Sequence, residues 1–223
     1  MEKIAKIIDH FDIQGTVAQI APVGNGWIND TYRITTEGST PDYILQRINH
    51  HVFQDVELLQ RNIERITSHI RKKLTDSGCT DVDRRVLRVI PTKTGKLFYF
   101  DGENYWRMML FISGSVTHET ISAPLAYLTG KAFGEFQSML SDIGENALGE
   151  TIPDFHNMEA RLETFRETIA KNPANRLEKA QWMVDELLAR ADKMCTAQRL
   201  YRERKLPKRV THCDTKVNNI LFD

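Results

Sequence analysis

The sequence predicts an α+β fold in two lobes: a small antiparallel sheet interrupted by one helix, followed by a helical half. Three observations predict it. Short runs of β-type residues, separated by Gly, Asp, Asn and Pro, crowd the first 112 residues. One long amphipathic run, with Val56, Leu59, Ile63, Ile66 and Ile70 on a shared face, splits those strands after the third. From Ser122 onward the apolar spacing is helical throughout. The natural division is therefore residues 1–112 as a β-rich lobe and 113–223 as a helical lobe, joined by a short connection at 113–119.

Taken in order, Ile4, Ile7, Ile8 and Phe11 recur at helical spacing, which gives a short first helix over residues 2–12. Residues 16–21 and 31–36 read as strands, and the PVGNGWIND between them is turn chemistry. A third strand is YILQRI, residues 43–48, and the long helix after it ends near Leu74. SGCTD is a loop. Residues 86–90, 97–100 and 105–112 are three further strands, with Thr94-Gly95 and Asp101-Gly102 as hairpin signals between them. Ser122 is an N-cap with Pro124 in the first turn, and Leu125, Leu128, Ala132, Phe136 and Leu140 form the stripe of the next helix. A second helix covers residues 158–170. A third starts at Pro173 and continues toward Arg204, with Leu177, Val184, Leu187, Ala191 and Met194 suited to packing. Residues 208–211 read as a short strand.

Composition narrows the class of partner. Lys plus Arg equals Asp plus Glu at 30 each, which argues against a nucleic-acid binder. No stretch approaches the ~20 apolar residues of a membrane span. The N-terminal MEKIAKIIDHF carries acids and lacks the apolar core of a signal peptide. Cys79, Cys195 and Cys213 have neither disulfide nor zinc spacing, which fits free thiols in a reducing cytoplasm.

The chemistry is concentrated in RVTHCDTKVNNILFD, residues 209–223. It contains His212-x-Asp214-x-Lys216-x-x-Asn219. Asp and Asn in a loop often only cap turns. This set also suits phosphoryl transfer: Asp214 accepts the proton of an attacking hydroxyl, Lys216 offsets phosphate charge, Asn219 supplies an oxygen to magnesium and His212 braces the loop. Two earlier stretches agree with that reading. In GNGWINDTY, Gly24 and Gly26 fit a hairpin whose backbone N–H groups approach phosphates, with Asn29 where a third glycine is usual. In YILQRI, Arg47 takes the place of a phosphate-gripping strand lysine, with Glu64 as its helical partner and Glu57 as the second choice.

These stretches, together with RNIERI, YWRMMLFI and GKAFGEFQ, run in one order along the chain, and in that order the chain resembles the aminoglycoside phosphotransferase-like kinases, within them the bacterial N-acetylhexosamine 1-kinases. The resemblance implies a two-lobed protein-kinase-like fold with an incomplete helical lobe, ATP and Mg2+ as cofactors, and transfer of the γ-phosphate to a sugar hydroxyl, here the anomeric hydroxyl of an N-acetylhexosamine. It implies Asp214 as catalytic base, Asn219 as metal ligand, and Gly24, Gly26 and Arg47 at the nucleotide phosphates. Phe111 and Ile112 would meet adenine through their backbone, and Asn29, Asp30 and Thr31 would border phosphate or sugar. In the family a second metal-binding Asp follows the catalytic loop, and this sequence reaches Asp223 before it. The expectation is therefore a truncated kinase, inactive by itself. Other small hydroxyl acceptors, such as an aminoglycoside or an amino alcohol, and a nucleotide-binding pseudokinase remain open alternatives.

Overall fold

A computed structural model describes residues 2–24 and 28–223. The order of elements is α1 (Glu2–Ile8), β1 (Val17–Pro22), β2 (Asp30–Thr36), β3 (Tyr43–Ile48), α2 (Val56–Asp76), α3 (Val82–Arg85), β4 (Val89–Ile90), β5 (Tyr99–Phe100), β6 (Tyr105–Leu110) and α4 (Ala123–Met139). There follow α5 (Met158–Lys171), α6 (Leu177–Ala189), α7 (Ala191–Met194), α8 (Thr196–Arg202) and a 3-10 turn at Val217–Asn219.

The six strands form one sheet in the order β1-β2-β3-β6-β4, with β5 also paired to β6, and every pairing is antiparallel. Register sets which residues share a face. Tyr32, Leu45 and Met108 stand in one cross-strand row, and Thr31, Gln46 and Arg107 in the next. Because side chains alternate, neighbouring rows point to opposite faces. The first face is apolar and takes α1: Ile4, Ile7, Ile8, Phe11, Ile34, Leu45, Trp106 and Met108 form one buried cluster. Phe11, Ile34, Leu45 and Met108 are wholly enclosed.

The second face meets α2. Asp55 caps that helix by accepting the N–H of Leu58 at 2.8 Å. Farther along, Ile66, Ile70 and Leu74 pack with Val86, Phe136, Leu140 and Val210. Lys73 donates to the Met139 carbonyl at 2.7 Å and to Asp142 at 2.6 Å, placing a cation at the C-terminal end of α4. Ser122 caps the start of α4 as the sequence predicts, accepting from the N–H of Leu125.

The chain groups into two compact units. One runs up to Thr151 and takes in Val210–Asp223, and the other is Ile152–Arg209. The boundary at residue 112 follows secondary-structure type, whereas the units follow packing, since α4 shares a buried cluster with α2. In the second unit α5 ends at Asn172, whose left-handed backbone (φ 38°) closes the helix. Its carboxamide oxygen accepts the N–H groups of Arg176 and Leu177.

Four expectations need correction. The long helix starting at Pro173 starts instead at Leu177 and is broken at Arg190 and Cys195 into α6, α7 and α8. Residues 208–211 form no strand. The strand expected at 86–90 shrinks to Val89–Ile90, because Val86 closes the unexpected α3, and the strand expected at 97–100 shrinks to Tyr99–Phe100. The first helix stops at Ile8 rather than residue 12.

Candidate active site

The segment that carries His212, Asp214, Lys216 and Asn219 leaves the α2–α4 cluster at Val210. His212 sets its ring 5.1 Å from Phe133 and 5.9 Å from Phe136 on α4, an aromatic brace for the loop. Cys213 then takes a left-handed conformation, φ 64°, which L-residues adopt at a cost. That kink precedes Asp214. Asp214 Oδ2 accepts from the Asn219 carboxamide at 2.7 Å and lies 3.2 Å from Lys216 Nζ. The Asp214 carbonyl accepts from the Lys216 N–H at 3.0 Å and from Asn219 Nδ2 at 2.8 Å. The 3-10 turn makes this closure possible by folding Asn219 back over Asp214, with Val217 buried as its anchor.

The electrostatics follow from these contacts. The Asn219 hydrogen bond, then the Lys216 hydrogen bond, hold the Asp214 carboxyl below the usual carboxylate range against the opposing effect of desolvation, with the Lys216 charge adding to them. Asp214 is therefore ionised near neutral pH, and its side chain is exposed.

The segment is tied to the connection after β6. Val116 and Phe222 exchange two backbone hydrogen bonds, each 2.9 Å, and Arg84 binds both the Ser113 carbonyl and the Asp223 carboxylate. In that connection Phe111 donates its N–H to the Asp42 carbonyl at 2.9 Å and lies under the Arg33 guanidinium. The Ile112 carbonyl accepts from Ser115.

On the sheet, Gly24 has φ 72°, where glycine is favoured, so it serves the turn into the hairpin. Gly26 lies outside the described residues. Asn29 accepts the Asn49 N–H at 2.9 Å, Asp30 pairs with Arg47, and Thr31 accepts from Gln46 at 3.0 Å. All three expected substrate residues are thus engaged between β2 and the end of β3.

The expected Arg47–Glu64 pair is not made. Arg47 shares its cross-strand row with Asp30 and Trp106, and its guanidinium reaches Asp30 and Asn104. Trp106 belongs to the cluster that packs on α1, so Arg47 lies on that face and not on the one facing α2. Glu64 accepts instead from Ser68 one turn along its own helix, and Glu57 is exposed. The residue of β3 that faces α2 is Gln46, bonded to Arg107, which also contacts the buried Gln60 of α2. In YILQRI, Tyr43 and Leu45 belong to the cluster on the α1 side, and alternation assigns Arg47 to the same side.

Among the described residues no group of three or more His, Cys, Asp or Glu side chains is gathered as for a metal. A cavity of about 430 Å3, lined by His10, Thr92, Lys93, Tyr99 and Phe100 among others, lies beside the end of α1. A smaller one, about 130 Å3, is lined by Ile28, Arg47, Ile48, Asn49, His50 and His51. Neither includes Asp214 or Asn219.

The six-stranded sheet with its long helix α2 has counterparts among known proteins. The profile of the phosphotransferase enzyme family matches residues 19–223. The chain belongs to this family. Its fold is similar to that of a spectinomycin phosphotransferase solved with ADP and spectinomycin, at 17% identity and a TM-score of 0.50, over 100% of this chain and 64% of that one. It is also similar to an aminoglycoside phosphotransferase from Alicyclobacillus acidocaldarius subsp. acidocaldarius, at 15% identity and a TM-score of 0.54, over 90% of this chain and 53% of that one. The chain thus spans between about half and two thirds of the length of these phosphotransferases. The expected α+β, kinase-like fold class is the one observed.

Proposed function

We propose that this phosphotransferase-family chain serves an ATP-dependent small-molecule kinase, with the anomeric hydroxyl of an N-acetylhexosamine as acceptor. The observation that carries the reading is the Asp214 carboxylate, held ionised by Asn219 and Lys216 on a segment bridged to the strand connection. Asp214 accepts the proton as the acceptor oxygen attacks the γ-phosphorus. The bond to the bridging oxygen of the β-phosphate breaks, and ADP leaves with that electron pair. A weakly basic carboxylate suffices, because in a loose transition state the proton moves late. Lys216 turns its ammonium from Asp214 toward the transferring phosphoryl oxygens.

The residues present fit a sparsely anchored magnesium ion. Mg2+ takes oxygen ligands and usually keeps several waters. Asn219 donates to Asp214 through its nitrogen, which leaves its carboxamide oxygen for the metal, with the Asp214 carboxylate beside it. When bound, magnesium would offset phosphate charge during transfer. Gly24 and Gly26 would serve the phosphates through their backbone. The Phe111 carbonyl and the Ile112 N–H carry no hydrogen bond among the described residues and would serve adenine. The lobe division at residue 112, a sugar site bordered by Asn29, Asp30 and Thr31, and action in the cytoplasm belong to the same proposal.

An aminoglycoside acceptor is the second reading, favoured by the likeness in fold to a phosphotransferase solved with spectinomycin. The test is incubation with magnesium ATP and, in turn, N-acetylglucosamine, N-acetylgalactosamine and spectinomycin, read by 31P NMR. A sugar 1-phosphate that disappears in Asp214→Asn supports the first reading. Phosphorylated spectinomycin selects the second. Nucleotide binding without turnover of any acceptor, in a chain long enough to cover the whole family fold, would leave a nucleotide-binding module.

A further inference from the structure

Resting on the nucleotide reading above, we propose that Arg107 of β6, set by Gln46 and Gln60, is the cation that meets the polyphosphate of the bound nucleotide, in the role expected of a strand cation paired with a helical glutamate. Three features carry it. First, Arg107 and Gln46 share a cross-strand row on the face that meets α2, whereas Arg47 belongs to the opposite face and is neutralised by Asp30. Second, the guanidinium is oriented by two neutral acceptors. Its Nε and Nη2 donate to Gln46 Oε1 at 3.0 and 2.8 Å, and its Nη1 donates to Gln60 Oε1 at 3.2 Å. Each glutamine is itself fixed, Gln46 by donating to Thr31 and the wholly enclosed Gln60 by donating to the Leu97 carbonyl at 2.9 Å. Both amide oxygens therefore converge on one cation.

Third, the charge is not cancelled. Among the described residues no carboxylate lies within ion-pair distance of Arg107, although most other arginines of this chain have one. Burial pushes its pKa down to about 10. A partly buried cation held only by amides is costly, and it suits an anion that arrives as a ligand. The side chain keeps some exposure, and the remaining N–H groups of its planar guanidinium can donate to phosphate oxygens. The strand that carries it leads directly into Phe111 and Ile112, where adenine is expected.

The decisive variant is Gln60→Glu, which puts a carboxylate against Arg107 in place of the amide. Titration calorimetry of the full chain with magnesium ADP and with adenosine, together with thermal melting, reads the result. The proposal expects a folded variant with adenosine affinity unchanged and ADP affinity lower by about tenfold, the order of one charge-assisted hydrogen bond. Arg107→Met should lose ADP affinity similarly, and Arg107→Lys should retain most of it. Unchanged ADP affinity in Gln60→Glu, or equal losses for ADP and adenosine, would overturn the proposal and leave Arg107 a packing residue. A wild-type chain that binds neither ADP nor adenosine would defeat the nucleotide reading itself, and this inference with it.

Discussion

Replacing Asp101 by Asn tests the electrostatic account of the β5–β6 hairpin. One oxygen of Asp101 accepts the N–H groups of Glu103 at 2.9 Å and Asn104 at 2.7 Å. The other accepts from the indole of the buried Trp106 at 3.0 Å and lies 3.4 Å from Lys3. Burial raises the carboxyl pKa, but these donors outweigh it and bring it down to about 2 from 3.8. The side chain is only 8% exposed, so solvent screening is limited. At about 1.4 kcal/mol per pKa unit the shift corresponds to about 2 kcal/mol. Asn keeps one acceptor oxygen but turns an NH2 group toward the indole and the ammonium, donor against donor. The expected loss at neutral pH is therefore about 2 kcal/mol. The sign of its pH dependence is fixed: a depressed folded-state pKa stabilises fully above 3.8, and that stability disappears as pH falls through about 2. Urea unfolding of both proteins should show a gap that shrinks to roughly half near pH 3. A gap that stays constant from pH 7 to pH 3 would refute the reasoning and assign the effect to packing.

Two further outcomes follow from the structure. Phe11→Ala opens a cavity between α1 and the sheet at a fully enclosed position and should cost about 3–5 kcal/mol in urea unfolding. For phosphoryl transfer, the acid limb of kcat/KM should fall below the ordinary carboxylate range, because Asn219 and Lys216 hold the Asp214 pKa down. A limb with its midpoint near pH 6.5 would point to a histidine instead.

Residues with strong local periodicity were legible. The β-type runs YILQRI and YWRMMLFI and the spacing of Val56 to Ile70 located β3, β6 and α2, with β6 ending at Leu110 rather than residue 112, and Ser122 with Pro124 marked the start of α4. The break of the last long helix at Arg190 and Cys195 was not legible, since neither residue is a helix breaker and the interruption is made by local backbone turns. At the candidate site, the spacing singles out Asp214 and Asn219, while the hydrogen bond between them depends on the 3-10 turn at Val217–Asn219. The Arg47–Glu64 pairing does not follow from charge alone, because strand alternation sets Arg47 on the face of Leu45 and Trp106. Gln60 could not be read at all: a glutamine amid the helix QRNIERI looks solvated until Arg107 and Leu97 are brought against it from distant parts of the chain.

The paired backbone bonds between Val116 and Phe222, with Arg84 clasping Ser113 and Asp223, make the strand connection and the reactive loop one mechanical unit. The two segments lie about a hundred residues apart in sequence, but the two bonds of the bridge join the same pair of residues, so separating the segments breaks both. Their amides should therefore exchange with deuterium at a common rate. Any ligand that steadies the connection would then steady the Asp214 carboxylate as well, without touching it.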